Sequence, residues 1–216
     1  MISEVFNEHC EVGMAKFPDR FFDLAIVDPP YGIDFASEKE RKPTKTRSAQ
    51  FKFKCKEWDK AIPDKSYFTE LFRVSKNQII WGGNYFLDYL PNTNCIIIWD
   101  KLNPDGMRFS DGEMAWASFE TSLRIYKSRR TYTIETQIHP NQKPIPLYAW
   151  ILKNYAKSGD KILDTHMGSQ SSRVAAYKLG FDYYGWETDE EYFKDGNNRF
   201  KNDIAMPLFD SATTLI

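Results

Sequence analysis

Short apolar runs punctuate the chain: LAIV at 24–27, QIIW at 78–81, CIIIW at 95–99, SLRIY at 122–126, KIL at 161–163 and YYGW at 183–186. Several are rich in β-branched residues, and each is short enough to read as a strand rather than a helix. Between them lie stretches with helical spacing. Residues 64–75 (DKSYFTELFRVS) open on an Asp and place apolar groups at 67, 68, 71 and 72. Residues 144–157 open with proline in the first turn, where its missing N–H costs nothing, and repeat apolar groups at 147, 151, 152 and 155. Residues 171–180 end on Gly180, a helix stop. Continuous apolar strands alternating with amphipathic helices predict an α/β fold: a mostly parallel sheet with helices on both faces. The segment SLRIYKSRRTYTIETQ alternates instead, which suits an antiparallel hairpin or a sheet edge.

Composition narrows the picture. A chain of 216 residues fits one domain, 1–216, and 42% apolar content supplies a core. No run of 18 apolar residues predicts a membrane span, and the first residues lack the basic start and apolar stretch of a signal peptide. Cys10, Cys55 and Cys95 are scattered without a CxxC, which argues against a disulfide frame and a metal site and fits a cytoplasmic protein. The net charge of −1 gives no global sign of a nucleic-acid partner. Residues 38–57, however, hold eight Lys or Arg against three Glu. A solvated loop is the plain reading of such a run. Phe51 and Phe53 interleave with Lys52, Lys54 and Lys56, which suits contact with phosphates and bases.

In sheets of this kind ligands bind at the carboxyl ends of strands. DPPYG (28–32), WGGNYF (81–86) and DTHMGSQSS (164–172) fall there. In the last, a strand ends at Asp164, Gly168 lets backbone approach a ligand, and a helix start near Ser169 offers unpaired N–H groups. Glu187 closes the next strand nineteen residues after Gly168, where a carboxylate can accept from ribose hydroxyls; an ordinary strand–turn–helix with a surface Glu is the alternative. In IHPNQKP (138–144), His139 and Lys143 could meet a ligand carboxylate, or the stretch is a polar loop between prolines.

AIVDPPYGID (25–34) carries the sharpest signal. Two prolines stiffen the turn and remove two donors while leaving their carbonyls as acceptors. Asp28 adds a further acceptor and Tyr31 a flat face. A planar group bearing an NH2 finds partners for its protons there and a ring to lie against, as a nucleobase does.

DPPYG followed by HPNQKP and ILDTHMGS resembles the DNA amino-methyltransferases that use S-adenosylmethionine, in the motif order of their β group. IIWGGNYF, DGEMAWASF and GWETDEEYF are similar to a phage and bacterial branch of that group, and the resemblance covers roughly residues 3–200. It implies a Rossmann-like methyltransferase fold and methyl transfer to N6 of adenine in DNA, with double-stranded DNA as partner and the target adenine flipped out. It also implies a bacterial or phage-infected cytoplasm. Asp28 and the carbonyl of Pro29 would accept from the target amine, Pro30 would shape the turn and Tyr31 would stack on the base. Asp164, Met167, Gly168 and Ser169 would line the methionine side of the cofactor, together with Asp28; Lys143 and His139 would face its carboxylate, Glu187 its ribose, and Cys10 would lie near its adenine.

The chain departs from the family pattern at His9 (commonly Asp), His166 (often Phe) and Gln170 (commonly Gly). Gln170 is expected to sit in the first helical turn without strain. Methylation of cytosine N4, commoner with Ser in place of Asp28, is the alternative within the family; a non-catalytic cofactor- or DNA-binding relative is the alternative outside it. A basic DNA-contacting loop at about 36–60 and a target-recognition region at about 101–138 are expected, and a homodimer is left open.

Overall fold

Each of the six apolar runs becomes a strand. The computed structural model describes residues 1–34, 59–104, 106, 110–129 and 137–205. Its strands are β1 (Ser3–Phe6), β2 (Phe22–Val27), β3 (Ser75–Trp81), β4 (Ile96–Asp100), β5 (Gly112–Ala117), β6 (Arg124–Lys127), β7 (Lys161–Asp164) and β8 (Asp182–Trp186). They form one sheet in the order β1-β8-β7-β2-β3-β5-β4-β6. All neighbours pair in parallel except β3–β5 and β4–β5, so β5 alone of these strands runs backwards. The helices are α1 (Cys10–Met14), α2 (Lys65–Val74), α3 (Ile145–Tyr155), α4 (Ser171–Leu179) and α5 (Glu190–Asp203).

Period two along β2 explains why the run is continuously apolar. Leu24 and Ile26 face one core, shared with Ile79, Trp81 and the helical residues Leu147, Ile151 and Ala175. Ala25 and Val27 face the other, shared with Ile80, Leu163 and the helical residues Met14, Phe68 and Leu71. Both faces are covered, so no position along the strand can be polar without cost. Each large apolar side chain buried this way contributes roughly 1.5–3 kcal/mol, as an upper figure.

The local signals act as read. Asp64 caps α2, accepting from Ser66 N at 3.0 Å. Pro144 is the N-cap of α3, and Gly180 ends α4 with a left-handed φ of 81°. The alternating segment supplies β6 as a sheet edge, paired in parallel with β4. Its second half, 130–136, lies outside the described residues, as do almost all of the basic stretch and part of 101–138. Among the described residues, no helix is long and apolar enough to cross a membrane.

The topology creates the site. From β2 the chain passes through α2 to β3 on one side; from β7 it passes through α4 to β8 on the other. β2 and β7 are neighbours, so the direction of winding switches between them, and a crevice opens beyond their carboxyl ends.

Candidate active site

Asp28 leaves β2 into the crevice, with Pro29 buried behind it. The turn is pinned from outside by Asp59. Its Oδ1 accepts from Tyr31 N at 2.7 Å and Gly32 N at 3.0 Å, and its backbone oxygen from Asp34 N at 2.9 Å. Tyr31 donates its hydroxyl to Asp28 Oδ1 at 2.5 Å. Its ring stacks on Tyr85, with centroids 5.0 Å apart and planes 12° from parallel. The turn after β3 crowds the same ring. Gly82 has φ 70°, and a Cβ there would overlap the Tyr31 ring, so only glycine fits.

A chain of alternating charges runs from Asp28 across the crevice. Asp28 Oδ2 pairs with Lys143 Nζ. Lys143 also meets Glu113 Oε2 at 3.1 Å, and Glu113 Oε1 meets Lys101 at 2.8 Å. The Lys143 side chain is 2% exposed, and its ammonium lies 5.1 Å from the Trp81 ring centroid. Burial raises the Asp28 carboxyl above the usual carboxylate value; Lys143 opposes that rise and Glu113 adds to it. Burial alone would also raise Glu113, but the two ammonium groups outweigh it and hold that carboxyl down at about 2. Lys143 stays charged because its two carboxylates outweigh its burial.

The loop after β7 is braced differently. Asp164 Oδ1 accepts from His166 N at 3.0 Å, and Oδ2 accepts from the Ser172 hydroxyl at 2.5 Å and the Tyr183 hydroxyl at 3.4 Å. Among the described residues no cation pairs with it; burial pushes its carboxyl up to about 7, and the hydrogen bonds only moderate the shift. Glu187 Oε2 accepts from Gly168 N at 2.9 Å, and Oε1 from Asp189 N at 2.9 Å. His166 is buried against Tyr67, and that burial drops its imidazole to about 3. Burial pushes the Cys10 thiol up to about 12, so it stays protonated.

Gln170 departs from the expectation of an unstrained first turn. It is the N-cap of α4 with a left-handed φ of 58°, a conformation that costs a side-chain residue roughly 1–2 kcal/mol. Its buried amide offsets this. Oε1 accepts from Arg173 at 2.9 Å, and the side chain fills the space that Gly196 of α5 leaves open.

Two cavities flank the Asp28–Tyr31 pair, Asp28 lining the first and Tyr31 the second. The first, about 240 Å³, is lined by Cys10, Asp28, Pro30, His139, Lys143, Met167, Gly168, Ser169 and Glu187, with His9 and His166. Nearly all the expected cofactor residues thus converge; Asp164 does not line this cavity and braces the loop that does. The second, about 340 Å³, is lined by Tyr31, Tyr85, Trp99, Lys101, Glu113 and Met114, among others. Asn141 lines both. Glu113, Lys101, Tyr85 and Asp59 were not singled out from the sequence. The sequence signal for Glu113 is weak: a carboxylate between Gly112 and Met114, in a segment too mixed to stand out as a strand.

A family described as DNA methylase, of the N6/N4 type, matches residues 80–198, more than half of the chain, and the chain belongs to that family. The type II methyltransferase M2.LlaDCHI of Lactococcus lactis subsp. cremoris is 26% identical over 147 residues, covering 61% of this chain and 53% of its own length. The chain spans about half or less of the length of the curated relatives it matches. Among solved structures, the M1.HpyAVI–SAM complex has a TM-score of 0.59 at 21% identity, covering 92% of this chain and 100% of that one. The cytosine-N4-specific PvuII DNA methyltransferase has a TM-score of 0.61 at 10% identity, covering 96% and 93%. These likenesses show a shared fold, the mostly parallel α/β sheet of methyltransferases that use S-adenosylmethionine.

Proposed function

We propose that this chain transfers the methyl group of S-adenosylmethionine to the N6 amine of adenine in DNA. The observation that carries the reading is the hydrogen-bonded pair Asp28–Tyr31 set between two cavities: Asp28 lines one, with acceptors and donors suited to a nucleoside with an amino-acid tail, and Tyr31 lines the other, with further aromatic rings.

The residues of the first cavity fit the cofactor. Glu187, whose carboxylate accepts from Gly168 N and Asp189 N, lines this cavity as an acceptor suited to ribose hydroxyls. The Lys143 ammonium has a third N–H beyond those directed at Asp28 and Glu113, available to a carboxylate. Cys10 and Met167 supply apolar wall, and Gly168 brings backbone to the cavity edge. When bound, S-adenosylmethionine supplies a methyl group made electrophilic by the adjoining sulfonium.

The protein's part is orientation and electrostatics. The exocyclic amine of adenine is a poor nucleophile because its lone pair is delocalised into the ring. Hydrogen bonds from that amine to Asp28 and to the Pro29 carbonyl favour a more tetrahedral nitrogen whose lone pair points toward the first cavity. Tyr31 offers a face in the second cavity, and the base must leave the duplex stack to reach it. The basic stretch at 38–57 supplies phosphate contacts in this reading. No covalent base adduct is needed, in keeping with the protonated Cys10 thiol.

The Asp form of the DPPY motif favours adenine. The clamp itself accepts the N4 amine of cytosine equally, and the fold is shared with an N4 enzyme. The deciding experiment incubates the chain with S-adenosylmethionine and unmethylated DNA, digests the DNA to nucleosides and identifies them by mass and retention. N6-methyladenine is the expected product. N4-methylcytosine alone would overturn the base assignment, and cofactor binding without any methylated nucleoside would make the chain a non-catalytic relative.

A further inference from the structure

We infer that Glu113 is a positioning residue of the amine clamp: it holds the Lys143 ammonium so that Asp28 keeps a lone pair open to the target base. The inference rests on the methyltransferase reading and deepens it. Glu113 sits on β5, outside all three strand-end motifs, and lines the second cavity but not the first.

Around the buried Lys143 ammonium the donors and acceptors can be counted. Both Asp28 oxygens are engaged, Oδ1 by the Tyr31 hydroxyl and Oδ2 by Lys143. Each has one further lone pair, and the target amine needs one of them. Lys143 cannot retreat to water, because its side chain is 2% exposed and flanked by Trp81. Its ammonium is therefore placed by the two carboxylates it touches, Asp28 on one side and Glu113 at 3.1 Å on the other. With Glu113 neutral, the ammonium loses one of the two protein carboxylates that place it and shifts toward Asp28, where it competes with the incoming amine. Glu113 is itself fixed by Lys101 at 2.8 Å and by its β5 backbone, whose register places it opposite Trp99 of β4. Lys101, Glu113, Lys143 and Asp28 together carry no net charge, so a Gln at 113 removes a negative charge without changing the shape of the wall.

The test compares wild type, Glu113→Gln and Glu113→Asp by single-turnover methyl transfer at saturating cofactor and unmethylated plasmid DNA. Cofactor affinity is measured by calorimetry and folding by thermal melts. Glu113→Gln is expected to slow transfer at saturating cofactor roughly tenfold or more and to change cofactor affinity much less, because Glu113 does not line that cavity and reaches the cofactor only through Lys143. Glu113→Asp, which keeps the charge, should recover part of the rate. An unchanged rate in Glu113→Gln, equal rates in the Gln and Asp variants, or a loss of cofactor affinity in parallel with rate would each overturn the inference. If Glu113→Gln does not fold, Glu113→Gln combined with Lys101→Met keeps the buried charge balanced. That double variant should transfer more slowly than Lys101→Met alone, and equal rates would overturn the inference. A folded wild type that transfers no methyl would instead defeat the reading on which the inference rests.

Discussion

Asp28 follows β2 and Asp164 ends β7, two strands joined by the pairs Leu24–Ile162 and Ala25–Leu163. Both carboxyls are removed from bulk water, and burial raises both. They differ in what answers that burial. Asp28 has an ammonium on one oxygen and a phenol on the other, and it lines the first cavity. Asp164 has, among the described residues, hydroxyls and a backbone N–H as its partners; burial raises it to about 7, and it points back into the protein toward Ser172 and Tyr183. A buried carboxylate that must stay charged needs a cation, whereas one that only ties a loop to a helix does not. In the proposed reading, the same residue type at neighbouring strand ends serves the reaction in one case and braces a loop in the other.

The largest expected effect comes from making Asp28 resemble Asp164. Lys143→Met strips the cation from a buried pair and should cost about 3–5 kcal/mol of stability near pH 8. The abandoned Asp28 carboxyl then has a folded-state value further above its unfolded one. The folded state binds the extra proton, so stability falls as pH rises, and the deficit should be smaller at pH 5 than at pH 8. Urea denaturation at the two pH values measures it. An equal deficit at both would show that Lys143 does not hold Asp28 ionised.

A smaller effect isolates Asp164. Its folded value near 7 lies above the ordinary 3.8, so the stability it contributes is fully present below about pH 4 and is lost as pH rises to about 7. Asp164→Asn cannot titrate. The stability of wild type minus that of the variant should therefore decline across this window, by about 4 kcal/mol in total. A flat difference would mean that Asp164 is ionised throughout and has a cation that the geometry does not provide.

How much of this was legible in the sequence follows from the range of the interactions. β2, β3, β7 and β8 are buried on both faces, and their apolar runs announced them. The caps at Asp64 and Gly180 are local and were readable. β5 was not, because Glu113 and Met114 face partly open space and Gly112 opens the run, so no apolar stretch stands out. α5 was legible but went unread: Asp189 caps it, Glu190 and Glu191 fill its first turn, and Tyr192, Gly196 and Phe200 line its buried face at helical spacing. Within the site, the residue types at 28, 31, 143, 164, 168 and 187 were readable as a group, and all but Tyr31 and Asp164 line the first cavity. Their pairings were not readable. Lys143 reaches Asp28 across 115 positions of sequence, and nothing local to Asp164 reveals that Ser172 and Tyr183 turn its carboxylate inward. Gln170 shows the converse, where a residue unsuited to its backbone conformation is retained because Arg173 and Gly196 accommodate its side chain.

The division of labour between the two carboxylates is tested most directly by single-turnover methyl transfer to DNA, with Asp28→Asn and Asp164→Asn measured side by side at saturating cofactor and normalised to folded protein. Asp28→Asn is expected to lose on the order of a hundredfold or more while binding cofactor nearly as wild type does. Asp164→Asn, once saturated, should stay within about tenfold of wild type, because the charge on its carboxylate is not used in the reaction. Equal losses in the two variants, or a slower Asp164→Asn than Asp28→Asn, would contradict that division.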